Sequence, residues 1–173
     1  NAKRWLAHIA QTLAAADPDN GAQYSENAQA AVREIEQLQV DLKDVLAPVT
    51  TQPYMVLHDA FQYFDRRFEL TFAGAIALGD ASAPSPARLT HAREDLVVQG
   101  VGCIFTEPQQ SDRLVQVVME GTDVKTGVLD PIGATLAPGP DQYSQLHHVQ
   151  PAVCVYCVSM RSERHTCLLP YLV

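Results

Sequence analysis

From residue 54 onward, short apolar runs alternate with amphipathic stretches, and this alternation limits the possible folds more than any other feature of the chain. Residues 54–57 read as a strand, and 60–68 as a helix carrying a stripe of Phe61, Phe64 and Phe68. Residues 70–78 read as a second strand, followed by a loop over 79–86 rich in Ser, Pro and Ala. A helix over 87–99 precedes a strand over 102–106, and a helix over 111–120 precedes a strand over 125–129. A chain that returns through a helix after each strand makes right-handed crossovers. The expected class is therefore α/β, with a mainly parallel four-stranded sheet flanked by helices.

Upstream of the alternation the pattern is purely helical. Trp5, Leu6, Ile9 and Leu13 mark an amphipathic helix over 2–15, with His8 off the stripe as a solvated residue. Asp17 and Pro18 form a helix-start signal, the carboxylate being placed to accept free amides of the first turn. Tyr24, Ala28, Ala31, Ile35, Leu38, Leu42 and Leu46 then continue a helical stripe until Pro48. Some thirty residues at 1.5 Å each give a rod of about 45 Å. That is either a long surface helix or a strut joining two bodies.

Charge and hydropathy remove whole classes of function. A formal net charge of -8 repels phosphate backbones, so no nucleic-acid partner is expected. With 47% hydrophobic and only 18% charged residues, the chain has the makings of a core and little disorder is expected. No run approaches the roughly 18 apolar residues of a membrane span. The start at Asn1-Ala2-Lys3 has neither initiator Met nor signal-peptide core and reads as an interior start.

Polar residues follow the strands where sites of parallel sheets gather: His58 and Asp59 after the first, Glu107 after the third, Asp130 after the fourth. An imidazole and carboxylates on one sheet edge suit a metal site or an acid-base pair, and periodicity alone does not separate the two. Helix capping is the plainer role for each, Asp59 and Glu107 especially, while Tyr63 and Phe64 read as core.

Three segments in order, Tyr54-Met55-Val56-Leu57-His58-Asp59-Ala60-Phe61, Phe105-Thr106-Glu107-Pro108-Gln109 and Gly127-Val128-Leu129-Asp130-Pro131-Ile132-Gly133, carry a resemblance. They resemble the C-terminal lobe of the periplasmic zinc-binding proteins of bacterial ABC importers, over roughly residues 1–146. The resemblance implies that residues 1–48 are the end of an N-terminal lobe and a lobe-linking backbone helix, and that 49–146 are the C-terminal metal-binding lobe. It implies zinc held between lobes by two histidines of the N-terminal lobe, one of the C-terminal lobe and often a carboxylate. His58 matches that histidine and Asp130 the carboxylate, with Asp59 and Glu107 as supporting candidates behind the ligands. Manganese-binding relatives have Glu where His58 stands, and imidazole suits Zn²⁺ better than Mn²⁺. Further implied are capture of Zn²⁺ in the periplasm, delivery to an ABC permease and its ATPase, and a monomeric parent. With both N-lobe histidines upstream of Asn1, this chain alone is expected to hold zinc weakly.

The tail departs from the resemblance. Where the family continues an amphipathic helix, this chain reads His147-His148-Val149-Gln150-Pro151, then Cys154, Cys157, His165 and Cys167. Pro151 is expected to break the helix and residues 147–173 to pack irregularly, as an atypical, possibly out-of-frame tail. A zinc module built on Cys154, Cys157, His165 and Cys167 fits no common spacing. Some family members bridge the position of Cys103 to a cysteine near the C-terminus, which the resemblance places at Cys157. The alternative for Cys103 is a small apolar filler. Two other functions stay open beside zinc capture: a metal-dependent hydrolase on His58, Glu107 and Asp130, and a manganese-binding or adhesin-type role.

Overall fold

In the computed structural model of the chain, residues 1–77 and 84–159 are described. Leu78, most of the loop read over 79–86, His165 and Cys167 lie outside the described residues. The chain divides into two compact units, Asn1–Asp44 and a second beginning at Val45.

The first unit is helical. α1 spans Ala2–Ala16, a 3-10 turn covers Pro18–Asn20, and α2 runs unbroken over Gly21–Leu46. At 26 residues α2 is about 39 Å long. Lys3 Nζ pairs with Glu36 Oε1 at 3.2 Å. Asp17 stands at the N-cap of the 3-10 turn, but without a side-chain cap hydrogen bond of ordinary geometry. Its Oδ2 instead accepts from Asn20 Nδ2 and Tyr24 Oη, both at 2.8 Å. The Asn20 and Tyr24 hydrogen bonds hold its carboxyl below the ordinary value. α1 buries none of its residues, and Trp5, Ile9 and Leu13 are exposed.

The second unit is the α/β lobe. Its elements are β1 (Tyr54–His58), α3 (Gln62–Phe68), β2 (Phe72–Ala77), α4 (Pro86–Val98), β3 (Cys103–Thr106), α5 (Arg113–Met119), β4 (Lys125–Val128) and α6 (Gln142–Ser159). All the pairings are parallel, in the order β2-β1-β3-β4. Side chains alternate between the two faces, as a pleated strand requires. Tyr54 and Val56 of β1, Ala75 of β2, and Cys103 and Phe105 of β3 join one core with Leu46, Val49, Phe61 and residues of α6. Met55, Leu57, Ile76 and Ile104 join the other with Ala92 and Leu96 of α4 and Val115 and Val118 of α5. Burial on both faces is what makes these strands continuous apolar runs. Gly127 stands opposite Phe105 in the ladder, and a Cβ there would lie 2.8 Å from the Phe105 ring. A residue without a side chain is therefore needed for β4 to dock at that point.

Two expectations are corrected. Tyr63, read as core, is 76% exposed, because it lies on the outer side of the short helix α3. Pro151 does not stop the terminal helix: α6 continues through it and through Cys157. A proline inside a helix costs about 3 kcal/mol and cannot donate to the carbonyl four residues back. That cost is offset by placement, since Pro151, Cys154 and Cys157, three apart, are all buried. Cys157 is also bonded to Cys103 in a disulfide with Cα atoms 6.0 Å apart. The zinc-module reading of the tail loses Cys157 to that bond. Cys154 stays a free, buried thiol, and burial, reinforced by the nearby Asp65, pushes it up to about 12.

One polar pair is set into the α6-side core. Tyr54 Oη donates to Asp65 Oδ1 of α3, both side chains being buried. Burial raises the Asp65 carboxyl to about 6, against the lowering effect of the Tyr54 hydrogen bond and with a smaller push from Asp59. Its Oδ2 has no hydrogen-bond partner among the described residues.

Reduction of the Cys103–Cys157 bond, which closes a separation of 54 residues, should cost about 2–4 kcal/mol in urea unfolding compared with and without dithiothreitol. Asp65 binds its proton more tightly folded than unfolded. Its contribution is therefore fully present below the ordinary value of 3.8 and is lost as pH rises through about 6. Thermal melts across that window should show the wild type losing stability relative to Asp65→Asn, which cannot ionise.

Candidate metal site

β1, β3 and β4 all end on the same edge of the sheet, and each exit carries a polar residue. His58 is the last residue of β1 and is 20% exposed. Glu107 follows β3 directly and is only 6% exposed, and its Oε1 lies 3.4 Å from His58 Nδ1. Parallel pairing of β1 with β3 produces this approach, since Val56 aligns with Phe105 and the next residues along each strand lead to His58 and Glu107. The two atoms stand at ion-pair distance without hydrogen-bond geometry. A carboxylate on the Nδ1 side of an imidazole leaves Nε2 to a metal, and closing that gap to a hydrogen bond would give the usual support of a zinc-bound histidine. The N-cap position of α5 falls on Asp112, beyond Glu107 in the chain.

Asp59 does not cap α3, contrary to the capping role read from the sequence. The turn closed by Ala60 N to His58 O at 2.9 Å carries the chain past it, and the N-cap position falls on Phe61. Asp59 Oδ1 is buried without a hydrogen-bond partner among the described residues.

Asp130 organises the loop after β4. Its Oδ1 accepts from Gly133 N at 3.0 Å, Ile132 N at 3.4 Å and Gln109 Nε2 at 2.8 Å. Its Oδ2 accepts from Thr135 N at 3.1 Å and Thr135 Oγ1 at 3.2 Å. Partial burial works to raise its pKa, but the bonds from Gln109, Thr135 and Ile132 outweigh that and hold it below the ordinary value. Gly133 reaches its donating position with φ 68°, a left-handed conformation that favours glycine. Gln109 is a site residue that the sequence pattern does not reveal. Nothing in its local pattern signals a hydrogen bond to a residue 21 positions away.

The structure thus pairs His58 with Glu107 and Asp130 with Gln109, both partners lying on the β3 exit. Among the described residues no three His, Cys, Asp or Glu side chains converge closely enough to hold a metal by themselves. An imidazole and a carboxylate remain a donor set that suits Zn²⁺ as part of a larger site.

Comparison with solved structures defines the class. The chain is similar to a crystal structure of ZnuA with TM-score 0.74 and 26% identity, covering 92% of this chain and 58% of that one. The chain also matches the laminin-binding protein Lbp of Streptococcus pyogenes with TM-score 0.73 and 26% identity, covering 87% and 58%. This is the architecture of the metal solute-binding proteins. The sequence model of the family described as zinc-uptake complex component A, periplasmic, matches residues 1–150, and the chain belongs to that family. The chain is 42% identical over 146 residues to the high-affinity zinc uptake system protein ZnuA of Brucella abortus, and 41% identical over 147 to that of Paracoccus denitrificans. Each alignment takes in 84% of this chain, which spans 44% and 45% of those relatives. A family of transport components favours binding over hydrolysis. Among the described residues no helix is long and apolar enough to cross a membrane.

If Asp130 organises its loop as the distances indicate, Asp130→Ala should speed hydrogen exchange at the Gly133 and Thr135 amides by at least tenfold. The strand amides of β1 and β3 should keep their protection.

Proposed function

We propose that this chain is the part of a periplasmic zinc-capturing protein that contributes His58 as a zinc ligand and Asp130 as a carboxylate at the same edge. Glu107 acts behind His58, and the captured ion is passed to an ABC permease and its ATPase. The observation that carries the reading is the 3.4 Å approach of the buried Glu107 carboxylate to His58 Nδ1 at the sheet's carboxyl edge. Zinc is cargo here and no bond is made or broken in it. The protein's task is to hold the ion tightly enough to collect it and loosely enough to release it. A neutral imidazole donates through Nε2, and the carboxylate behind Nδ1 raises its basicity and restricts its rotation.

The remaining ligands come, in this reading, from the portion of the relatives' length that this chain does not span. A complete zinc site takes about four donors, so removing one of them is a severe loss. The relatives named for high-affinity zinc uptake support the choice of metal, as does an imidazole at a position where oxygen would suit manganese better.

The test is a chimera in which this chain replaces the matching segment of the Brucella abortus relative. Calorimetry should show tight zinc binding that His58→Ala weakens by at least a hundredfold and Glu107→Gln by about 10- to 100-fold, with the fold unchanged by circular dichroism. Growth of a zinc-uptake-deficient host on limiting zinc should follow the same order. Equal zinc affinity of the parent and His58→Ala chimeras would sink the assignment.

A further inference from the structure

The strand order places β3 between β1 and β4. The β3 exit loop therefore stands between His58 and Asp130, whose strands are two spacings, about 10 Å, apart. An imidazole and a carboxylate reaching from either side of one ion can close that span, but the loop between them already engages both. Glu107 lies against His58, and Gln109 donates to Asp130 Oδ1 at 2.8 Å. The two contacts arise from one short turn, closed by Gln110 N to Glu107 O at 3.1 Å.

Ile132, Gly133 and Thr135, which also donate to Asp130, belong to its own loop. Gln109 reaches it from the β3 side, which is the side facing β1 and His58. We infer that Gln109 is a positioning residue of the zinc site, a latch whose amide occupies the Asp130 oxygen that an ion held by His58 would need. The inference rests on the zinc reading of His58 given above. Zinc recruits Asp130 only by displacing the Gln109 donor, so the latch lowers affinity and favours release.

This fixes a sign that a structural role would not. A residue that merely supported the site would weaken zinc binding when removed. Loss of the latch strengthens it, because the metal-free state no longer holds a hydrogen bond that must be broken. Gln109 is exposed and its bond lies at the surface, so the gain belongs at the modest end for a hydrogen bond to a charged group, about 3- to 10-fold in Kd.

Zinc chloride titration of the chimera with the Brucella abortus relative, which supplies the remaining donors, followed by NMR on the His58 ring and the Gly133 and Thr135 amides, tests the latch. Gln109→Ala and Gln109→Met, the second keeping side-chain length without a donor, should each lower the apparent Kd by about 3- to 10-fold. Zinc should then shift the Gly133 and Thr135 amides at lower concentration than in the wild type, and the gain should vanish when Asp130→Asn is added. An unchanged or raised Kd in both Gln109 variants, with zinc still shifting the His58 ring, overturns the latch alone. Zinc that leaves the His58 ring unshifted in every variant defeats the zinc reading and the latch with it.

Discussion

The pairing of β1 with β3 is the constraint from which the rest of the lobe follows. These two strands occupy the centre of the sheet, and their side chains fill both cores, so their register is fixed by burial on two faces at once. A slip of β1 by one residue against β3 would send Val56 to the α4 and α5 side and Met55 to the α6 side. It would also separate His58 from Glu107. The chemistry at the edge is therefore set by apolar packing several residues away, and a polar pair that contributes little to stability is held in place by side chains that contribute much.

Where structure follows from local pattern, the sequence was enough. The strand-helix alternation predicts the parallel four-stranded sheet because each period reflects burial on one or two faces. The unbroken α2 follows from its stripe. Placing His58, Glu107 and Asp130 at one edge needed only the rule that sites lie at the carboxyl ends of parallel strands. The failures are long-range. Pro151 looks like a helix stop locally, and only burial against the sheet and the bond to Cys103 show why α6 runs through it. Tyr63, read as core beside Phe64, lies off the Phe61, Phe64 and Phe68 stripe and faces solvent, since a seven-residue helix has a single buried side. The Gln109–Asp130 contact depends on strand order, which pattern does not supply.

The Tyr54–Asp65 pair illustrates how a core tolerates an acid. Tyr54 begins β1 and Asp65 lies in α3, so their hydrogen bond ties the first strand to the first crossover helix. A protonated carboxyl suits that apolar setting better than an ionised one. The pair therefore acts as a neutral clamp in acid and as a buried charge at higher pH, where the phenol hydrogen bond is its main compensation.

The disulfide has a consequence for how the lobe matures. Disulfides persist in oxidising compartments, so the link between β3 and α6 forms only after the chain has reached one. Among the described residues, Cys154 sits one helical turn before Cys157 in the same core and is a competitor for Cys103 while the chain is still unfolded. Exchange proceeds through a thiolate, and in the folded lobe burial keeps the Cys154 thiol protonated far above neutrality. Folding thus proofreads the pairing: once α6 has docked, the competing sulfur is chemically silenced beside the bond it would otherwise scramble.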